Sequence, residues 1–171
     1  VTNSGQPNLF YRNVNQSGAR VFVEQADSMR IALSTDSLEI DSRGVALVDF
    51  DRDGGLDIYV AVQHGPDAFF VNREANGNWL AVVPVATESP ADAIGTRIEI
   101  AYKNDRRAMR EIAGGASFLS QDALFAAFGV GDAAQIDVLT VRWPSGIVQQ
   151  LRSEIADLSV NRTLTITEER P

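Results

Sequence analysis

The sequence predicts an all-β protein. Three observations carry that prediction. Apolar and polar side chains alternate with a period of two in several segments, helical periodicity is scarce, and glycine- or proline-centred turns separate the apolar runs. About eight to ten short strands are expected.

Taken in chain order, "PNLFYRN" at 7–13 is echoed by "PDAFFVN" at 66–72, with Pro7/Pro66, Phe10/Phe69 and Asn13/Asn72 in register at an offset of 59 residues. Similarity at a fixed period in a β-rich chain points to blade-like repeats. Between these copies, "GVALVDF" and "LDIYVAV" are more continuously apolar, as strands covered on both faces tend to be. The polar stretch "REANGN" then reads as a linker, and Trp79 opens a second region. There, "TRIEIAYK" places Ile98, Ile100 and Tyr102 opposite Arg97, Glu99 and Lys103, the mark of a half-buried strand. Gly114-Gly115 and Gly129-Val130-Gly131 supply turns, and "SQDALFAAF" is too short a helical pattern to alter the class. In "IDVLTVRW", Leu139, Val141 and Trp143 share a face, and Pro144-Ser145-Gly146 inside "VRWPSGIVQQL" predicts a hairpin. The last strand is "TLTITEE", where Leu164 and Ile166 alternate with threonines. The organisation expected is a blade-like region at 1–76 followed by an antiparallel β-sandwich or barrel at 77–171.

Composition narrows the function classes. With 15 basic and 23 acidic residues the 171-residue chain carries a formal charge of −8, the opposite of the basic surface that nucleic-acid binding draws on. The absence of cysteine excludes disulfides, thiolate metal sites and cysteine nucleophiles. No apolar run approaches the ~20 residues of a helical membrane span. The opening Val1-Thr2-Asn3-Ser4-Gly5 has no initiator Met and no signal-peptide core, so part of a longer chain or a mature product is expected.

The densest chemistry lies in "VDFDRDGGLDIYV", where Asp49, Asp51, Asp53 and Asp57 crowd one turn. Counted from Asp49, carboxylates fall at loop positions 1, 3, 5 and 9, with Gly54 at position 6 and Gly55 at position 7. The first half matches an EF-hand ligand loop. The second half departs from it, because Val60 stands where an EF-hand has its bidentate Glu and the flanks are strands. A solvated acidic turn and a catalytic carboxylate pair are the competing readings. The spacing favours calcium over both, since like charges at this density repel without a counter-ion, and over magnesium, which keeps more of its waters.

The run "RGVALVDFDRDGGLDIYVAV" followed by "PDAFFVN" resembles a VCBS/FG-GAP repeat, the calcium-binding blade of integrin-type β-propellers. Downstream, "NWL" at 78–80, "AIGTRIEI" at 93–100, "GGASFLSQ" at 114–121, "FGVG" at 128–131 and "VRWPSG" at 141–146 resemble the ASPIC/UnbV domain. Together the resemblances cover residues 7 to about 151. They imply partial β-propeller-like blades with a calcium loop, then the β domain, in a secreted, cell-surface or periplasmic protein with an interaction or adhesion role and no catalytic residues. Carried over by position, the implied Ca²⁺ ligands are Asp49, Asp51, Asp53, the Gly55 carbonyl and Asp57, although "GG" replaces the usual Gly-polar pair. Exposed strand edges are expected where further blades would pair.

The remaining candidates are bland. His64 is the one histidine and reads as a surface loop residue without a triad partner. Arg106, Arg107 and Arg110 read as a solvated hairpin face. Trp79, Tyr102 and Trp143 suit a core better than a sugar-stacking platform, but a carbohydrate-binding module with an aromatic face stays as the alternative to a protein-interaction module. The expected partner is accordingly an extracellular protein or glycan.

Overall fold

The computed structural model describes residues 1–4, 6–33, 41–73, 76–115 and 118–170. It is all-β: twelve strands and no helix among the described residues. Part of the linker "REANGN" (residues 74 and 75) and part of "GGASFLSQ" (116 and 117) lie outside them. Two compact units emerge. One comprises 1–48, 57–71 and 115–121, and the other 49–56, 72–114 and 122–171.

In the first unit, β1 (Tyr11–Gln16) and β2 (Ala19–Glu24) form an antiparallel hairpin. Its two-residue turn, Ser17-Gly18, has φ of 52° and 84°, the left-handed pair that matches the twist of paired strands. Both strands are largely exposed, so no apolar alternation announced them. β3 (Asp41–Val48), β4 (Asp57–Gln63) and β5 (Ala68–Phe70) follow as an antiparallel meander, in register from Asp41↔Gln63 to Val48↔Asp57 and from Ile58↔Phe70 to Val60↔Ala68. The expectation that β3 and β4 are covered on both faces is not met: Leu47 and Tyr59 are exposed, and buried positions in both strands are interspersed with half-buried ones.

The sequence echo at offset 59 is a structural repeat. Val1 and Leu9 exchange backbone hydrogen bonds, with Val1 N donating at 2.6 Å and Leu9 N at 2.9 Å, and their counterparts Val60 and Ala68 are cross-strand partners. Asn3 N–H donates to Asn8 Oδ1 at 3.1 Å, just as Val62 N–H donates to Asp67 Oδ1 at 2.9 Å. The same short side-chain acceptor therefore braces the same hairpin twice.

The second unit holds the core. β6 (Asn78–Val85) lies between β9 (Ala126–Gly131) and β12 (Arg162–Thr167), while β11 (Val148–Arg152), β10 (Val138–Arg142), β7 (Arg97–Tyr102) and β8 (Arg106–Glu111) form a second sheet in that order. Leu80, Val82, Phe128 and Ile166 of one sheet meet Ile98, Ile100, Leu139 and Val141 of the other in one cluster. Of these, Ile98, Ile100, Leu139, Val141 and Ile166 are inward positions that alternation picks out. Neither sheet closes into a barrel. One pairing corrects the antiparallel expectation: β12 runs parallel to β6, from Arg162↔Leu80 to Thr167↔Val85. Alternation marks a strand's faces but carries no information on its direction.

The inward phase of β12 continues past Ile166 to Glu168, which is 2% exposed. Its Oε2 accepts the backbone N–H groups of Thr87, Glu88 and Ser89 at 2.8–2.9 Å. Its Oε1 accepts the hydroxyls of Ser89 at 2.8 Å and Ser145 at 2.5 Å. Burial pushes this carboxyl up, but the Ser145 hydroxyl and the three amides outweigh it and hold it at about 2, against an ordinary 4.5. A depressed folded-state value means stabilisation that is complete above about 4.5 and is lost as pH falls toward 2. Glu168→Gln, which turns an amide toward these donors, should lower the denaturation midpoint at neutral pH. The gap to the native chain should narrow steadily through that acid window. Denaturant unfolding at a series of pH values measures it, and a pH-independent gap would contradict the assignment.

Candidate metal centre

The acidic loop spans β3 and β4 as the sequence spacing predicts, closing a hairpin whose last pair is Val48↔Asp57. Its shape comes from its own first aspartate. Asp49 Oδ1 accepts the N–H of Asp53 and Oδ2 that of Gly54, both at 3.1 Å, while Asp53 Oδ1 accepts the N–H of Gly55 at 2.7 Å. Two positive-φ residues, Arg52 at 61° and Gly54 at 91°, turn the chain inside this cradle.

The result is convergence. Asp49, Asp51 and Asp53 each present a carboxylate oxygen, and these oxygens lie within 4.8 Å of one another. Two oxygens sharing one calcium at 2.3–2.6 Å sit at most about 5 Å apart, so this spread suits a single ion. The donors are hard oxygens of the kind calcium takes, and each pair of charges at this separation repels by about 1 kcal/mol in water. Among the described residues it is the one group of three acidic or histidine side chains so close together. Gly55 is buried within the loop. Asp57 is fully buried at the first position of β4 and stands outside the group of three.

Gly54 also fixes the loop to β6. It lies against the Trp79 indole so closely that a Cβ would overlap the ring. Trp79 is thus half-covered by backbone, Trp143 is 3% exposed with its Nε1 donating to Gln149 Oε1, and Tyr102 packs against the core. His64 is exposed at φ 63°, and Arg106, Arg107 and Arg110 are exposed on β8. Sequence reasoning missed Glu168 and the Asn8/Asp67 braces. For Glu168 the signal was available, since it continues the inward phase of "TLTITEE".

Comparison with known sequences places the C-terminal half of the chain, downstream of this loop, in a family. Residues 86–171, half of the chain, match the profile described as ASPIC and UnbV. The chain belongs to the ASPIC and UnbV family. It is also similar to cartilage acidic protein 1 of Xenopus tropicalis, 31% identical over 180 residues, and to that of Homo sapiens, 30% identical over 182. Each alignment covers 96% of this chain but only 27% and 26% of the relative, so the chain spans about a quarter of the length of these relatives. Both alignments are long enough to take in the aspartate loop as well as the family domain.

Gly54→Ala should disturb this centre through strain and overlap together, each worth about 1–3 kcal/mol. The expected outcome is a lower unfolding free energy and a shifted Trp79 emission. Adding Trp79→Ala to Gly54→Ala should recover part of the loss in a double-mutant cycle, and strict additivity would show that the ring contact is not the cause.

Proposed function

We propose that this chain is a non-catalytic interaction module of a secreted, cell-surface or periplasmic protein, and that its acidic loop holds a structural calcium ion. The observation that carries the reading is the convergence of Asp49, Asp51 and Asp53 inside a hairpin. The Gly55 carbonyl and, on sequence spacing, Asp57 complete the proposed ligand set. Calcium would neutralise the carboxylates and staple the turn between β3 and β4. It has no part here in bond making.

Support comes from three directions. The loop and its flanks resemble a VCBS/FG-GAP repeat, and the hairpin recurrence at offset 59 is what a repeated blade would produce. The family domain is ASPIC and UnbV. The relatives are named for a tissue and an acidic composition rather than for a reaction, which favours an extracellular setting and a non-catalytic role. The competing carbohydrate module with an aromatic face needs exposed, coplanar rings. Trp143 and Tyr102 instead serve the core, and Trp79 is half-buried with Gly54 against its ring.

A loop without the bidentate glutamate is expected to bind in the range of extracellular modules, ~10⁻⁴–10⁻³ M. Calorimetry should therefore find one calcium per chain in that range and none with Asp51→Ala. At a hundredfold excess over Kd the ion stabilises the fold by about 2.7 kcal/mol, so the unfolding midpoint should fall on addition of EGTA. No uptake at millimolar calcium, or a midpoint indifferent to EGTA, would defeat the reading.

A further inference from the structure

The outer face of the four-stranded sheet carries a groove of roughly 590 Å³, within the size range of ligand sites. Its floor is ordered by strand register. One cross-strand row runs Arg152, Val138, Ala101, Arg107, and the next runs Gln150, Thr140, Glu99, Met109. Arg152 and Arg107 thus stand at opposite ends of a shallow apolar floor, three strand spacings or about 14 Å apart. Arg142 adds a third guanidinium, against the carboxylates of Glu99 and Asp105. On a chain of formal charge −8, this groove has more cations than anions.

From this placement we infer that the groove binds a carboxylate-bearing oligosaccharide. The inference rests on the reading as an interaction module and names its partner class. Guanidinium forks match carboxylates in geometry and charge. Arg107 enters no ion pair among the described residues. Arg142 is held only by a 3.3 Å pair to Glu99 with both side chains about half exposed, an arrangement that a ligand displaces at little cost. Glu99 and Asp105 decide between anionic partners. Their oxygens accept hydroxyl protons, and each ring of a uronate chain offers hydroxyl donors beside its carboxylate, which a polyglutamate lacks. An acidic peptide is the poorer fit, because strand addition uses a sheet edge and this groove lies on the face.

The test is calorimetric titration of the whole chain, in calcium, with a short oligogalacturonate, the heat of the same oligomer titrated into calcium buffer without protein being subtracted because its carboxylates take up the ion themselves. A neutral galactose oligomer of the same length and a polyglutamate peptide form the comparison arms. Saturable binding to oligogalacturonate alone is expected, weakening as salt rises from ~50 to ~200 mM. Arg107→Ala and Arg152→Ala should each weaken it about tenfold, from the loss of one charged hydrogen bond. Arg20→Ala, on β2, should leave it unchanged, and far-UV spectra and thermal midpoints of all three variants should match the native chain. No binding, equal binding of the neutral oligomer or of polyglutamate, or indifference to both groove substitutions would each overturn the assignment. Calcium uptake is measured without sugar, so failure of the groove and failure of the loop are separate results.

Discussion

A single buried carboxylate organises the family domain. An ionised group removed from water is tolerated only when donors replace its hydration, and Glu168 finds five, from the segment after β6 and from the β10–β11 turn. Those segments belong to the ends of different sheets. The carboxylate therefore links the end of β12 to both layers of the domain, at the margin of the apolar cluster. The turn it grips is flanked by Trp143 and by Gln149 of β11, and Gln149 Nε2 donates back to the Thr167 carbonyl at 3.0 Å. Charge, turn and core packing are fixed by one set of hydrogen bonds.

Much of this was legible beforehand. Alternation found β7, β10 and β12 with their inward faces, because a half-buried strand must alternate whatever its neighbours are. The Pro144-Ser145-Gly146 turn and the β3–β4 hairpin were equally clear, since turn residues act locally. β1 and β2 were not identified as strands, for the opposite reason: both faces of each are largely exposed, so there is no apolar pattern to read. Strand direction was also out of reach, and β12 shows why. Its partner is chosen by packing across the whole domain. In the loop, Asp49, Asp51 and Asp53 stand close together while Asp57, expected with them, lies outside the group, and the spacing gave no sign that Asp49 would be the brace that shapes the turn.

The two acidic features use opposite physics. Glu168 is surrounded by donors and needs nothing from outside. The loop draws three carboxylates toward one another, an arrangement that favours an added cation. Both are anchored near β6, one through Trp79 at its start and the other through the Glu168 N–H to Val85 O bond of 2.9 Å at its end. β6 thus has one acidic feature at each of its ends.

The parallel pairing of β12 with β6 bears on how the domain is assembled in time. Leu80 meets Arg162 only after the intervening chain has been made, and closing so long a loop carries an entropic penalty before any contact repays it. The hairpins β7–β8 and β10–β11 close over a few residues and form early. During synthesis on the ribosome, β6 waits with one edge unpaired, and its apolar face stays open to chaperones and to misassociation until the last strand emerges.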